Sequence, residues 1–124
     1  MNALRSIAVA GALALMIGEL WRSWGVGRHL LFIMDDMLAG GFMLAAAWAM
    51  RNDTRRNRAA FAASWGVAAG MLYGSFFGKL IDPASSNAGN WDMGVLIALL
   101  GVAFAIALAG LWFSITLPGP SDDL

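Results

Sequence analysis

At 124 residues the chain has the length of a single domain, and its composition, 60% hydrophobic and 13% charged with formal net charge +0, is far from the roughly one-quarter charged residues of soluble domains. The absence of cysteine excludes disulfides, thiolate metal sites, iron–sulfur clusters and a cysteine nucleophile, and the single histidine, His29, cannot supply bis-histidine haem ligation alone. No broad basic face is available for nucleic acid, so the partner expected is the lipid bilayer.

Four apolar runs, residues 3–21, 30–50, 59–80 and 93–117, stand between charged or loop-forming segments. At ~1.5 Å per residue each is about long enough to cross a hydrocarbon core of ~30 Å, and backbone groups that find no water there must bond within a helix. The expected fold is an all-α integral membrane protein: one domain over residues 1–124, a four-transmembrane-helix bundle with short loops. The first run follows Arg5, but no convincing small-residue cleavage site lies between Gly18 and Trp24, so it is expected to remain a helix. Gly25 and Gly27 break the first connection, "RNDTRRNR" makes a basic second one, and "IDPASSNAGNWD" reads as a loop. Pro118 and Pro120 end the last helix before the acidic "SDDL" tail.

An even number of crossings puts both termini on the side of Arg5, Arg51, Arg55, Arg56 and Arg58, against Arg22, Arg28 and Lys79 opposite. That bias predicts an N-in/C-in protein of the inner (cytoplasmic) membrane. Trp21, Trp24 and Trp91 then fall at the outer boundary and Trp48, Trp65 and Trp112 towards the inner one, as interfacial belts.

The second run carries "FIMDDMLAGG". Beyond Asp36 its uncharged part, residues 37–50, covers only ~21 Å, so Asp35 and Asp36 are expected below the outer headgroups. In the first run the uncharged part, residues 6–18, is shorter still, so either Arg5 snorkels at one end or Glu19 enters the membrane at the other. On a helical wheel Asp35 and Asp36 share the face of Ala39, Gly40, Met43, Ala46 and Ala47, opposite the bulky residues. That small-residue face is expected to meet the third helix, where Gly66, Gly70, Gly74 and Gly78 align as a packing stripe and Tyr73 lies within reach of a carboxylate. The fourth run has no charged residue, and Gly101, Ala105 and Ala109 make it a supporting wall.

Two readings of the acids follow. In the first, Arg22, Arg28, His29 and Lys79 pair with Glu19, Asp35 and Asp36 and fix the outer loop. In the second, three desolvated carboxyls facing those bases form a proton or cation site. No phosphate loop, nucleophile elbow or HExxH is present, and adjacent aspartates diverge by ~100° on a helix, so neither a catalytic site, a metal site nor a cofactor is expected. Four short helices with an acid in the first are similar in plan to the small multidrug-resistance transporters. Glu19, however, stands towards the outer end and not near the middle, and the charge bias gives one defined orientation. The function expected is a non-catalytic bundle or accessory subunit with an outward polar pocket of Glu19, Arg22, Arg28, His29, Asp35 and Asp36, forming a homo-oligomer or part of a larger membrane complex. The alternative is a proton- or cation-coupled small transporter or channel component.

Overall fold

The structure is a computed structural model and describes residues 1–27 and 29–119. Arg28, Pro120 and the "SDDL" tail lie outside the described residues. Four helices follow one another: α1 (Asn2–Ser23), α2 (Leu30–Ala49), α3 (Arg55–Ile81) and α4 (Met93–Thr116), with one turn of 3-10 helix at Pro83–Ser85. All four are long and apolar enough to cross a membrane, and α4 has the highest mean hydropathy, 2.6.

Three of the four helix starts, those of α2, α3 and α4, carry side-chain caps. The Nδ1 of His29 accepts from the Leu31 amide (3.1 Å), Thr54 Oγ1 from Asn57 (3.1 Å) and an Asp92 carboxylate oxygen from Val95 (3.1 Å). Each satisfies an amide that has no partner within its own helix. The Thr54 cap explains why α3 begins before its apolar run: a helix can start in a charged turn when its first amides are bonded. Leu117 is extended, as expected of a residue that precedes proline, and α4 stops there.

The helices pack as two antiparallel hairpins, α1 with α2 and α3 with α4, joined along α2 and α3; of the neighbouring pairs, α1 and α4 make the slightest contact. Both connections within the hairpins lie at what is called here the upper end, and the termini and the α2–α3 connection at the lower end. The buried face of α2 is Ala39, Gly40, Met43, Ala46 and Ala47, the face read from the wheel. Its closest neighbour is α1 and not α3, because a side chain at Gly40 would overlap Met16 and approach the Ala12 carbonyl to 3.3 Å.

The glycine stripe of α3 is not a packing seam within the chain. A Cβ added at Gly66, Gly70, Gly74 or Gly78 would meet nothing within 4 Å, as at Gly41 on the outer side of α2. Spacing of four aligns small residues on one face but does not say which face turns inward. Inward on α3 are Phe61, Ser64, Trp65, Ala68 and Leu72, which offer far more contact area. Close approach occurs instead on α4, where Gly110 lies against the Trp65 ring and Gly101 against Phe76. Ala105 and Ala109, the other two members of the small stripe expected on α4, are exposed. Trp65 is thus a core residue, 2% exposed, and not part of an interfacial belt. Trp48 and Trp112 are exposed, and the Arg51 guanidinium stands 3.7 Å over the Trp48 ring.

At the lower end Arg58 bonds both carboxylate oxygens of Asp53 (3.2 and 2.8 Å) and the carbonyls of Leu117 (2.5 Å) and Pro118 (3.1 Å). It ties the last turn of α4 to the α2–α3 connection. Arg5 donates to the Ala47 carbonyl (2.8 Å), so it reaches across to α2 while Glu19 is buried at the other end of α1.

At the upper end the α3–α4 connection caps α1. Asn90 Nδ2 donates to the carbonyls of Trp21 (2.8 Å) and Trp24 (2.7 Å), the Asn90 amide to that of Arg22 (3.3 Å), and Trp91 Nε1 to that of Gly18 (3.1 Å). The carbonyls of the last turn of a helix lack an amide four residues on within the helix, and here a distant loop supplies further donors to those of Trp21 and Arg22. The approach is close enough that Gly89, at φ +58°, has no room for a side chain beside the Arg22 carbonyl.

Candidate functional site

Because α1 and α4 barely touch, a cavity of about 330 Å³ remains between the hairpins, lined by all four helices and by Trp91. Its walls are mostly apolar, with Leu15, Met43, Leu72, Leu100 and Ala107 among them. Its charged residues are Glu19, Arg22 and Asp36, all towards the upper end.

Glu19 is 4% exposed. One of its oxygens accepts from the Ser23 hydroxyl (3.0 Å) one turn later in α1, and the other stands 3.5 Å from an Arg22 guanidinium nitrogen. The Arg22 guanidinium also donates to the Asn87 carbonyl, through Nε at 3.0 Å and through a second nitrogen. The loop that caps α1 thereby also holds the arginine. Asp36 reaches the same place from α2, its carboxyl within hydrogen-bonding reach of that of Glu19. About six residues from the start of α2, it lies ~9 Å along the helix from that end. Two carboxyls from different helices, one guanidinium and one hydroxyl therefore meet at the upper end of an apolar chamber, where interactions between charges are stronger than in water.

Not every expected residue joins them. Asp35 is exposed, and its carboxylate accepts from the Asp36 amide (2.7 Å), because one step along a helix turns its side chain ~100° away from the cavity. His29 is exposed and serves as the cap of α2, its ring edge-on to Phe32 at 6.3 Å. Tyr73 is 58% exposed and packs on Phe77 (4.9 Å) and Phe104 (5.9 Å), so its hydroxyl is not part of the carboxyl site. Arg28 lies outside the described residues.

The structure adds one residue that the sequence did not single out, Ser23, and gives Trp91, Lys79 and Trp65 surroundings that the sequence did not show. Ser23 could have been found from its position four residues after Glu19, one helical turn. Trp91, expected at the outer boundary, is bonded to α1 and forms part of the cavity wall. Lys79 is buried near the upper end of α3 and does not line the cavity. Trp65 lines the lower part of the cavity, and among the described residues its indole Nε1 is the buried side-chain nitrogen or oxygen without a hydrogen-bond partner. No three His, Asp or Glu side chains converge as a ligand set among the described residues.

No protein-family model matches the chain, and neither a curated protein nor a solved structure does. Function is therefore argued from the site alone.

Proposed function

We propose that this small multi-pass membrane bundle exchanges a proton or a small cation at the Glu19–Asp36 carboxyl pair, as a non-catalytic component of a transporter or channel. The observation that carries this reading is the meeting of two carboxyls from different helices at the end of an apolar chamber. Asp36 meets Glu19 with Arg22 beside them, so among the described residues one guanidinium faces two carboxyls, an excess of acid that a one-to-one ion pair fixing a loop would not require. A proton can bridge two carboxyls in contact, and a cation can be held by both, so the pair can bind and release one charge. The reading includes the orientation expected from the basic residues, with both termini in the cytoplasm and the pair nearer the outer face of the inner membrane.

An infrared difference titration in lipid tests this. One carboxyl signal should change between pH 5 and 9 in the wild type and vanish in both Glu19→Gln and Asp36→Asn, while Asp35→Asn keeps it. The proton form of the proposal fails if no carboxyl titrates in that range. Loss of the signal in Asp35→Asn would assign it to the wrong residue.

The accessory or homo-oligomeric reading is supported by one separate observation, the outward glycine stripe of α3, which no helix of the chain covers. Stripes of this kind let a second membrane helix approach closely. On this reading Gly74→Leu would change the oligomeric state in detergent without changing the fold.

A further inference from the structure

At the lower end three exposed arginines, Arg51, Arg55 and Arg56, have no carboxylate partner among the described residues. The acid of that connection, Asp53, is held by Arg58 through both of its oxygens. Arg51 lies over the ring of Trp48, which is 61% exposed, and an exposed tryptophan at a helix end marks the level of the lipid headgroups. Arg55 and Arg56 stand in the first turn of α3, where the aligned peptide dipoles favour negative charge and disfavour cations. Two neighbouring guanidiniums set against that field are best accommodated with an anion between them.

The face of α3 above these two arginines is bare. On a helix turning ~100° per residue, Ala59, Ala63, Gly66 and Gly70 fall within ~60° of one another, and Arg55 and Arg56 stand to either side of the strip they form. Ala59, Ala63 and Gly70 are exposed and Gly66 partly so, and a Cβ at either glycine would meet nothing within 4 Å. From Ala59 to Gly70 the strip runs ~17 Å, close to the ~15 Å of one leaflet of a ~30 Å hydrocarbon core.

We infer that an anionic phospholipid docks on this face in the leaflet at the lower end, its phosphate between Arg55 and Arg56 and one acyl chain along Ala59, Ala63, Gly66 and Gly70. Guanidinium groups take phosphate oxygens by paired, charge-assisted hydrogen bonds, and Arg51 adds to the attraction. The charge selects the headgroup, and the bare strip lets the chain lie against the helix without displacing a side chain. A free phosphate would satisfy the arginines and leave the strip uncovered. A second copy packed in parallel on the strip would bring two such pairs of arginines together with no acid between them, so the lipid is the better occupant. The inference stands on α3 and does not depend on the carboxyl pair.

Native mass spectrometry of the protein in detergent, with phosphatidylglycerol or phosphatidylcholine of identical chains added, reads the affinity of the first lipid bound. Phosphatidylglycerol is expected to bind about ten-fold more tightly, the worth of one hydrogen bond between charged groups, in a comparison that needs no variant. In the double variant Arg55→Gln/Arg56→Gln, which alters two exposed side chains, the two lipids should bind alike. Gly66→Leu, which raises a side chain on the strip, should weaken both. Gly78→Leu, ~18 Å farther along α3 and beyond the reach of the chain, should weaken neither. Equal affinity of wild type for the two lipids, a preference that survives in the double arginine variant, or wild-type binding of both lipids by Gly66→Leu would each overturn the inference. If Gly66→Leu in that last case also changes the oligomeric state, the strip belongs to a second copy of the chain.

Discussion

Gly110→Leu is expected to destabilise the bundle by ~3 kcal/mol, the upper part of the range for overpacked cores. A Cβ at this position would lie 2.5 Å or less from three atoms of the Trp65 ring system. The ring cannot swing aside as the end of a flexible chain could, since Trp65 is 2% exposed and packs edge-on against Phe61 at 6.0 Å. The helices would have to separate along the most extensive contact in the molecule, that of α3 with α4. Gly70→Leu is the matched control, because a Cβ there meets nothing and the substitution also raises helix propensity. Unfolding in mixed detergent micelles should lower the midpoint strongly for Gly110→Leu and within ~0.5 kcal/mol of wild type for Gly70→Leu. The reverse order would return the packing seam to the α3 stripe.

Gly89→Ala is expected to cost ~4 kcal/mol and to loosen the top of α1. Its φ of +58° already disfavours a side chain, by roughly 1 kcal/mol. In addition the new Cβ would overlap the backbone carbonyl of Arg22, so the α3–α4 connection must lift away. Lifting it removes the Asn90 and Trp91 donors from the carbonyls of α1, each bond worth about 1 kcal/mol. Gly25→Ala separates the two causes: its φ of +69° brings the backbone strain, but its surroundings are open. Amide exchange over residues 21–26 should therefore accelerate in Gly89→Ala well beyond its rate in Gly25→Ala. Equal exchange in the two variants would mean that the loop does not clamp α1.

The helices could be read from the sequence because their period and length are local properties. The inward face of α2 was legible for the same reason, since the wheel separates Ala39, Gly40 and Met43 from Leu38 and Phe42, but it set Asp35 on that face with Asp36, and Asp35 is exposed. Neighbour choice was not legible. Gly66, Gly70, Gly74 and Gly78 form a perfect series, yet the large apolar residues on the other side of α3 fill the interior, and Trp65 goes with them. Depth along a helix suggested a belt position for Trp65, but depth says nothing about which way a ring turns. The cap that Asn90 and Trp91 place on α1 joins residues 66–73 apart in the chain, and no spacing rule reports such bonds. Tyr73 was placed near the carboxyls by its position beside the glycines, so it went astray with the stripe.

A double-mutant cycle on the two carboxyls, followed by unfolding in mixed micelles at neutral pH, reads their contact directly. Glu19→Gln and Asp36→Asn alter one shared arrangement with Ser23 and Arg22, so their effects should be non-additive by at least ~0.5–1 kcal/mol. The parallel cycle of Glu19→Gln with Asp35→Asn should be additive within ~0.3–0.5 kcal/mol, because Asp35 faces outward. Additivity of Glu19 with Asp36, or equal coupling in the two cycles, would contradict a carboxyl pair at the upper end of the cavity.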